Sequence, residues 1–362
     1  MTTYTLQLRK DWFDMKRMTA LLLSLTVAAA AMTACGSGNT SSVSTEPAAT
    51  EAATEAVTEA PTEAETDAPT EEEAEEEEDE ENYDTGDASL DNIRNQDDIG
   101  DKELLVLSFG TSFNDSRRLT IGAIENSLEE AFPDFSVRRG FTANIIIDHV
   151  NRRDGFLIDD VDAALERAMD NGVKTLVVQP THLMHGLEYN DLVAQVGGYA
   201  DAFDQVVFGE PLLTSDDDFK RVEQAIVDWT AEYDDGKTAI CFMGHGTEAD
   251  SNAVYQQMQD LLTADGYENY FVGTVEASPS VDDVLAAVQA GDYERVILEP
   301  LMVVAGDHAN NDMAGDEEDS WKSVFENAGY EVTCLLRGLG ENEDIRQLYT
   351  EHAQAAIDSL AE

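Results

Sequence analysis

The 362-residue chain is poor in basic residues and in cysteine. It has 21 Lys and Arg against 76 Asp and Glu, a formal net charge of −55, and only three cysteines. A surface of this sign repels nucleic acid, which excludes nucleic-acid binding as a function. No Cys-x-x-Cys pair or Cys/His cluster occurs, which excludes a zinc-ribbon site. A Gly-x-x-x-x-Gly-Lys loop is also missing, so no nucleotide is expected as a cofactor.

Two of the three cysteines lie in apolar contexts. Cys241 stands in TAICFMGHG and Cys334 in EVTCLLRG. Both are predicted to be core residues, and a single disulfide between them is the alternative in an oxidising compartment.

The first 35 residues have the order of features of an export signal. A basic segment, MKRM, precedes the apolar run TALLLSLTVAAAAMTAC, which is too short and too rich in alanine for a permanent membrane span. Its end, MTAC, resembles a bacterial lipobox, in which the cysteine, here Cys35, is lipidated and becomes the new N-terminus. An ordinary cleaved signal with an incidental cysteine is the alternative. We therefore expect an exported lipoprotein on the outer face of the cytoplasmic membrane, or a periplasmic protein.

Residues 36–100 are predicted to form a disordered acidic tether. Thr-Glu-Ala repeats lead into the block EEEAEEEEDEEN. This segment lacks the apolar content for a core, and its like charges extend it. An acidic tail that binds a partner is the second interpretation.

From Glu103 onward, short apolar runs alternate with amphipathic stretches, which predicts parallel strands connected by helices. The predicted strands are ELLVLSFG, SVRRGF, VKTLVVQP, TAICFMGHG, YFVGTVEA and RVILEPLMVVAG. The predicted helices are SRRLTIGAIENSLEEAF, IDDVDAALERAMDNG, SNAVYQQMQDLLTADG, SVDDVLAAVQAG, SWKSVFENAG and a last one from about Glu343.

The two halves of this region resemble each other. LLVLSFGTSFND matches AICFMGHGTEAD, and VKTLVVQPTHLMHGLEYND matches YERVILEPLMVVAGDHANND. In this alignment His245 is equivalent to Phe109, and His308 is equivalent to Glu188. The duplication predicts an α/β fold of two similar Rossmann-like lobes with parallel sheets, residues 101–235 and 236–362, and a cleft between them.

Three polar residues follow directly on predicted strands: His245, Glu276 and His308. Ligands of open parallel sheets lie beyond the carboxyl ends of the strands, so the three side chains are expected to converge in the second lobe. Two imidazoles and a carboxylate suit Co²⁺, Ni²⁺, Zn²⁺ or Fe²⁺, and three protein ligands leave positions open for chemistry. Taken singly, each residue could instead be a satisfied strand-end histidine or an exposed glutamate.

The other four histidines carry weaker signals. His149 and His352 are predicted to be structural or exposed, whereas His182 and His185 lie at the matching cleft edge of the first lobe.

Several long blocks carry a resemblance to a known family. They are LLVLSFGTSFNDS, FTANIIIDHVNRRDG, QPTHLMHGLEYNDLV, GEPLLTSDDDF, FMGHGTEADSNAVY, GTVEASPSVDDVL, LEPLMVVAGDHANNDMAGDEEDSWK and GLGENEDIRQLY. From about Leu104 to the C-terminus, the chain resembles the anaerobic sirohydrochlorin cobalt chelatases, a branch of the class II chelatases related to ferrochelatase. This resemblance implies two similar α/β lobes with a tetrapyrrole cleft.

The resemblance also implies roles for individual residues. His245 and His308 match the essential catalytic pair, and Glu276 joins them in holding the metal. His245 is the expected proton acceptor. The residues expected to bind the tetrapyrrole are Ser108, Gly110, Thr111, Ser112, His182 and Glu188.

The implied activity is insertion of a divalent metal into a free-base tetrapyrrole without ATP, as in anaerobic cobalamin biosynthesis. One cation replaces two pyrrole protons, so the metal is a substrate, with Co²⁺ expected first and Fe²⁺ or Ni²⁺ as alternatives. The acidic run from Asp307 to Asp319 would attract the cation and stabilise a protonated imidazole. For residues 317–319, a solvated helix start is the other interpretation.

Two features depart from the family pattern. Export separates the protein from corrin biosynthesis, which is cytoplasmic, so the alternative function is a non-enzymatic lipoprotein that delivers metal or haem to a transporter. A second copy of the chain is another expected partner. Residues 101–362 hold 52 acidic against 16 basic residues, which leaves few cations for the eight carboxylates of sirohydrochlorin. The candidates are Arg117, Arg118, Arg138, Arg139, Arg152 and Arg153.

Overall fold

Two four-stranded parallel sheets form the framework of residues 85–361, the part of the chain described in the computed structural model. The first sheet contains β1 (Lys102–Ser108), β2 (Ser136–Phe141), β3 (Thr175–Pro180) and β4 (Gln205–Phe208). The second contains β5 (Thr238–Gly244), β6 (Tyr270–Thr274), β7 (Arg295–Pro300) and β8 (Glu331–Cys334). The predicted α/β class with two Rossmann-like lobes is confirmed.

The two sheets have the same strand order and the same register. Their orders are β2-β1-β3-β4 and β6-β5-β7-β8. Leu107 pairs with Pro180 in the first sheet, and the equivalent Met243 pairs with Pro300 in the second. The internal duplication is therefore visible in the backbone pairing as well as in the sequence.

Helices connect the strands. In the first half they are α1 (Asn114–Leu119), α2 (Ile121–Ala131), α3 (Asn144–Asp154), α4 (Val161–Asp170), α5 (Leu187–Gly198) and α6 (Asp216–Thr230). In the second half they are α7 (Ala253–Ala264), α8 (Val281–Gln289), α9 (Trp321–Asn327) and α10 (Glu343–Asp358). Ser280 caps α8 with a reciprocal capping box to Asp283, as expected from a serine before an apolar run. No helix within residues 85–361 is long and apolar enough to cross a membrane.

The helix predicted from Ser116 to Phe132 is divided at Thr120. The backbone there (φ −108°, ψ −81°) leaves the helical region and separates α1 from α2. Gly340 packs against this break, and a Cβ added at Gly340 would lie only 2.9 Å from the Thr120 Cα. The break and the glycine together allow the turn before α10 to approach the first lobe.

The C-terminal helix α10 packs against the first sheet. The Tyr349 hydroxyl donates to the Thr181 carbonyl at 2.8 Å, in a buried contact just beyond β3. Leu348 belongs to one apolar core that contains residues of both sheets, including Val106 and Phe242. The last helix, predicted as part of the lobe 236–362, therefore ties the two lobes together.

Residues 85–99 pack against the first sheet, although the sequence prediction placed them in the tether of residues 36–100. Their ordered contacts include a 3-10 turn at Ala88–Leu90 and a buried Arg94. The folded region thus extends beyond the predicted lobe boundary at residue 101. The predicted signal, lipobox and the rest of the tether up to residue 84 lie outside the described residues. Within residues 85–361, Cys241 and Cys334 form no disulfide. Cys241 is fully buried in β5, as predicted for a core residue, whereas Cys334 at the end of β8 is only half-buried.

Candidate metal centre and cleft

His245, Glu276 and His308 come together at the carboxyl edge of the second sheet. One potential ligand atom from each lies within 4.8 Å of the other two. His245 follows β5 directly and Glu276 lies two residues after β6, while His308 follows the loop after β7. These three strands are neighbours in the order β6-β5-β7, so their ends meet at one place.

The distances suit a shared ion. The His245 Nε2 atom is 3.7 Å from Glu276 Oε1, and the rings of His245 and His308 are nearly perpendicular with centroids 4.7 Å apart. A metal with bonds of about 2 Å to each atom would hold ligand atoms roughly 3–4 Å apart. The three side chains are between about one-third and one-half exposed, which leaves them open to a ligand.

Each imidazole is fixed by a hydrogen bond from its Nδ1 atom. His245 Nδ1 lies 2.8 Å from the Gly246 carbonyl oxygen, which can only accept, so Nδ1 carries the hydrogen. His308 Nδ1 lies 2.6 Å from Asp312 Oδ2. Both Nε2 atoms are thereby left with a lone pair for a metal, the usual arrangement of metal-binding histidine. The hydrogen bond to Asp312 raises the pKa of His308 above its ordinary value.

The turn that carries His245 is joined to the one that carries Glu276. The Glu276 amide donates to the His245 carbonyl at 2.9 Å. Gly246 has φ +90°, and a Cβ there would lie 2.9 Å from the Ala277 nitrogen and the Thr274 Cβ. A residue with a side chain at position 246 would therefore collide with the neighbouring loop, so glycine is required there.

A π-helical turn follows His308 directly, over Ala309–Met313. It places Asp312 four residues on, under the imidazole, and it buries Met313 in the core of the second lobe. Such turns occur often at functional sites. Asp316, farther along the acidic run, pairs with Lys322 at the surface, and Ser320 caps α9.

A cavity of about 640 Å³ opens in front of the three residues and is lined by both lobes. Its lining includes His245, Glu276 and His308. It also includes all the residues expected at the tetrapyrrole side: Ser108, Gly110, Thr111, Ser112, His182 and Glu188.

Sequence reasoning missed the apolar wall of this cavity. Its members include Phe109, Ile145, Ile146, Leu187, Met302 and Val304. Phe109, Ile145 and Leu187 are large apolar side chains that remain exposed. The run of three isoleucines before His149 was a signal of this wall. His149 itself, predicted to be structural or exposed, is buried and lines the cavity.

His182 is buried at the cavity with neither ring nitrogen hydrogen-bonded to a group of the described chain. Its side chain is 7% exposed, and Nε2 lies 3.9 Å from Glu188 Oε2. Burial lowers the pKa of His182 to about 4, so the imidazole is neutral near pH 7. Burial likewise raises the pKa of Glu188. A buried unpaired imidazole beside a cavity is suited to bond a polar group of a ligand.

The other two histidines point elsewhere. His185 bonds Glu210 at 2.7 Å and does not line the cavity as far as the structure describes it. His352 lies 3.1 Å from Asp218 Oδ1 and 3.1 Å from the Glu210 carbonyl, so its role is structural, as predicted.

Three of the six arginines proposed for substrate carboxylates are wrong candidates. Arg117, Arg138 and Arg139 are fully buried. Arg139 binds Glu125 at 2.8 Å, and Arg138 lies 3.1 Å from Asp159. A guanidinium removed from water needs such partners, and once paired it cannot reach a ligand.

The remaining three arginines lie closer to solvent. Arg118 is 34% exposed and pairs with Asp115, and Arg153 is 22% exposed and pairs with Asp154. Arg152 is exposed.

Two sheets of identical order, with a His–Glu–His centre at the edge of a shared cavity, define a two-lobed protein of the metal-chelatase class. The comparisons with known proteins agree. Residues 102–358 match the family model "Cobalt chelatase (CbiK)", and the chain belongs to this family of metal chelatases.

Two curated relatives and one solved structure illustrate the similarity. Over 261 residues the chain is 37% identical to the sirohydrochlorin cobaltochelatase of Salmonella typhimurium. This alignment covers 72% of this chain and 98% of the relative. It is 31% identical over 277 residues to sirohydrochlorin cobaltochelatase CbiKC of Nitratidesulfovibrio vulgaris, with coverage of 75% and 97%. The structure of SirB from Bacillus subtilis with Fe³⁺ has a TM-score of 0.50 at 12% identity, covers 73% of this chain and 98% of its own, and supports the fold.

Proposed function

We propose that this protein inserts a divalent metal, with Co²⁺ preferred over Fe²⁺ and Ni²⁺, into sirohydrochlorin or a similar tetrapyrrole without ATP. The observation that carries the proposal is the convergence of His245, Glu276 and His308 within 4.8 Å at a cavity lined by both lobes. Two curated relatives named for this reaction support it. The chemistry is of the type used in cobalamin biosynthesis.

In this proposal the metal is held by the Nε2 atoms of His245 and His308 and by the Glu276 carboxylate. Because three protein ligands leave coordination positions open, nitrogens of the macrocycle can bind the metal before the protein ligands dissociate from it. As the cation passes into the ring, two pyrrole N–H bonds break and two protons leave. The net exchange is one divalent cation for two protons.

His245 is the proposed proton acceptor. A ring nitrogen cannot ligate a metal and accept a proton at the same time, so the two roles are sequential. The Nδ1 hydrogen bond to the Gly246 carbonyl keeps the Nε2 lone pair directed away from the backbone in both roles.

The macrocycle is proposed to lie in the cavity against its apolar wall. Phe109, Ile145 and Leu187 offer exposed apolar surface that suits the face of a flat ring. The polar residues of the first lobe, with His182 and Glu188 among them, are the proposed contacts to polar groups of the substrate. His182 is the strongest of these candidates, because neither of its ring nitrogens is hydrogen-bonded to a group within residues 85–361.

Anaerobic Co²⁺ insertion into sirohydrochlorin, followed by absorbance, tests the proposal. His245→Ala and His308→Ala are each expected to lower kcat by roughly 100-fold or more, because each removes a metal ligand. His182→Leu is expected to raise the KM for sirohydrochlorin roughly tenfold through a lost hydrogen bond, with the KM for Co²⁺ unchanged. His185→Leu is the matched control, because this imidazole is bound to Glu210 outside the cavity. Stoichiometric binding of metal or haem without turnover would instead support the delivery lipoprotein.

We further propose export and lipidation at Cys35, on the outer face of the cytoplasmic membrane. The support is the order of basic segment, apolar run and MTAC in the sequence. In cells fed radiolabelled palmitate, Cys35→Ser is expected to lose both the label and membrane fractionation. An unlabelled wild-type protein in the soluble exported fraction would favour an ordinary cleaved signal.

A further inference from the structure

Residues 85–99, here called the strap, run along the first sheet before β1 begins. At the start of the strap, the Thr85 carbonyl accepts a hydrogen bond from the Asp115 amide at 2.8 Å. At its end, Ser136 Oγ donates to the Ile99 carbonyl at 2.7 Å. The strap lies outside residues 102–358, the part matched by the family model.

The strap also covers the outer edge of β2, which is one of the two edge strands of the first sheet. The Arg139 amide donates to the Arg94 carbonyl at 3.2 Å, and Gln96 Nε2 donates to the Val137 carbonyl at 3.2 Å. These bonds occupy groups that an uncovered edge would present to another chain.

Asp91, in the middle of the strap, is buried between two arginines. Its carboxylate accepts from Arg117 Nε at 2.6 Å and from Arg139 Nη1 at 2.7 Å. The Asp91 side chain is 2% exposed, and both guanidinium groups are fully buried. Although burial alone would raise the pKa of Asp91, the charges and hydrogen bonds of Arg139 and Arg117 hold it below its usual range.

Arg117 connects Asp91 to the rim of the cleft. Its Nη1 donates to the Thr111 carbonyl at 3.1 Å and to the Ser112 carbonyl at 3.4 Å. Arg153 Nη2 donates to the same Ser112 carbonyl at 2.6 Å. Thr111 and Ser112 line the cavity, so the rim turn is held from behind by guanidinium groups.

The strap supports the cavity wall through apolar contact as well. Ile93 packs against a buried apolar cluster that contains Ile121, and Ile146 and Val304 pack against the same cluster. Ile121, Ile146 and Val304 line the cavity, and Val304 belongs to the second lobe. The strap therefore reaches the wall of the cleft by a second route, independent of Asp91.

We infer that the strap is part of the chelatase machinery and that Asp91 is a positioning residue for the tetrapyrrole-binding rim. Asp91 orients Arg117, and Arg117 holds the backbone of residues 111–112 against the cavity. This inference rests on the proposed function for its substrate, but its geometry does not depend on that function.

The test compares Asp91→Asn with Asp97→Asn in the full-length protein. Asp97 lies in the same strap and pairs with Arg167 at the surface, away from the cleft, at 3.0 Å. Asp91→Asn is expected to speed amide hydrogen exchange across residues 109–113 and to raise the KM for sirohydrochlorin roughly tenfold, since displaced binding groups are costly. The KM for Co²⁺ is expected to stay the same. Asp97→Asn is expected to change none of the three.

The inference is overturned if Asp91→Asn leaves exchange at residues 109–113 at the wild-type rate, or if Asp97→Asn changes it equally. If Asp91→Asn does not fold, Asp91→Glu, which keeps the charge but shifts the carboxylate, is measured in the same way and is expected to give a smaller change in the same direction. Exchange is measured without substrate. A wild-type protein that neither binds nor metallates a tetrapyrrole would therefore contradict the proposed function while the exchange result still decides the role of Asp91.

Discussion

His308 depends on a carboxylate that does not itself belong to the His–Glu–His set. Asp312 accepts the Nδ1 hydrogen at 2.6 Å, which orients the ring and raises the electron density at Nε2. Asp316, from the same acidic run, is 95% exposed and pairs with Lys322. Replacement of Asp312 is therefore expected to weaken metal binding, whereas replacement of Asp316, only four residues further on, is expected to leave it unchanged.

Asp312→Asn is expected to lower the affinity for Co²⁺ by about 10–100-fold, because a neutral amide orients the imidazole less firmly and makes it a weaker ligand. Competition with a chromophoric chelator measures this affinity. Asp316→Asn is the matched control, with the same chemical change outside the centre, and should bind Co²⁺ as the wild type does. Equal effects of the two substitutions would mean that only the overall negative charge matters.

At the scale of single residues, the sequence predicted site residues correctly where a histidine or glutamate closely follows a predicted strand. His245, Glu276 and His308 could be grouped because neighbouring parallel strands deliver their ends to one edge. The buried arginines could not be recognised, because their partners are remote: Asp91 lies 48 residues before Arg139. From the sequence alone an arginine is expected to be exposed, because the carboxylate that offsets its desolvation can be identified only in the structure.

Among the elements, long buried strands were predictable and short, half-exposed ones were not. All six segments predicted as strands form strands, since each is buried on both faces of a parallel sheet. Five of them carry the signal of a mainly apolar run, whereas SVRRGF contains the buried Arg138 and Arg139. The edge strands β4 and β8 have only four residues each and are partly exposed, so they lack that signal. The strap was assigned to the tether because its acidic composition continues that of the preceding residues, whereas the ion pairs of Asp91 are visible only in three dimensions.

For the molecule as a whole, the helix α10 determines how the lobes are joined. It comes last in the chain, yet it packs on the first sheet, with the Tyr349 hydroxyl bonded to the Thr181 carbonyl. Because residues of both sheets share one apolar core, we expect the described body to unfold as a single cooperative unit.

Tyr349→Phe is expected to lower the free energy of unfolding by about 1 kcal/mol, because a buried carbonyl loses its donor. Chemical denaturation followed by circular dichroism measures the change, and a single transition should persist. Tyr293→Phe is the control, since its hydroxyl donates to the Glu268 carbonyl at the surface and should contribute less. Two separate transitions in the wild type would show that the lobes are energetically independent.

The duplication has a consequence for symmetry. Equivalent positions of the two repeats carry unlike side chains, with Phe109 where the other repeat has His245 and Glu188 where it has His308. A flat ligand bound between the two repeats would face the metal-binding nitrogens of His245 and His308 on one side and the phenyl ring of Phe109 on the other. Divergence of the repeats after duplication has thus made the two sides of the cavity chemically different, which two identical repeats could not provide.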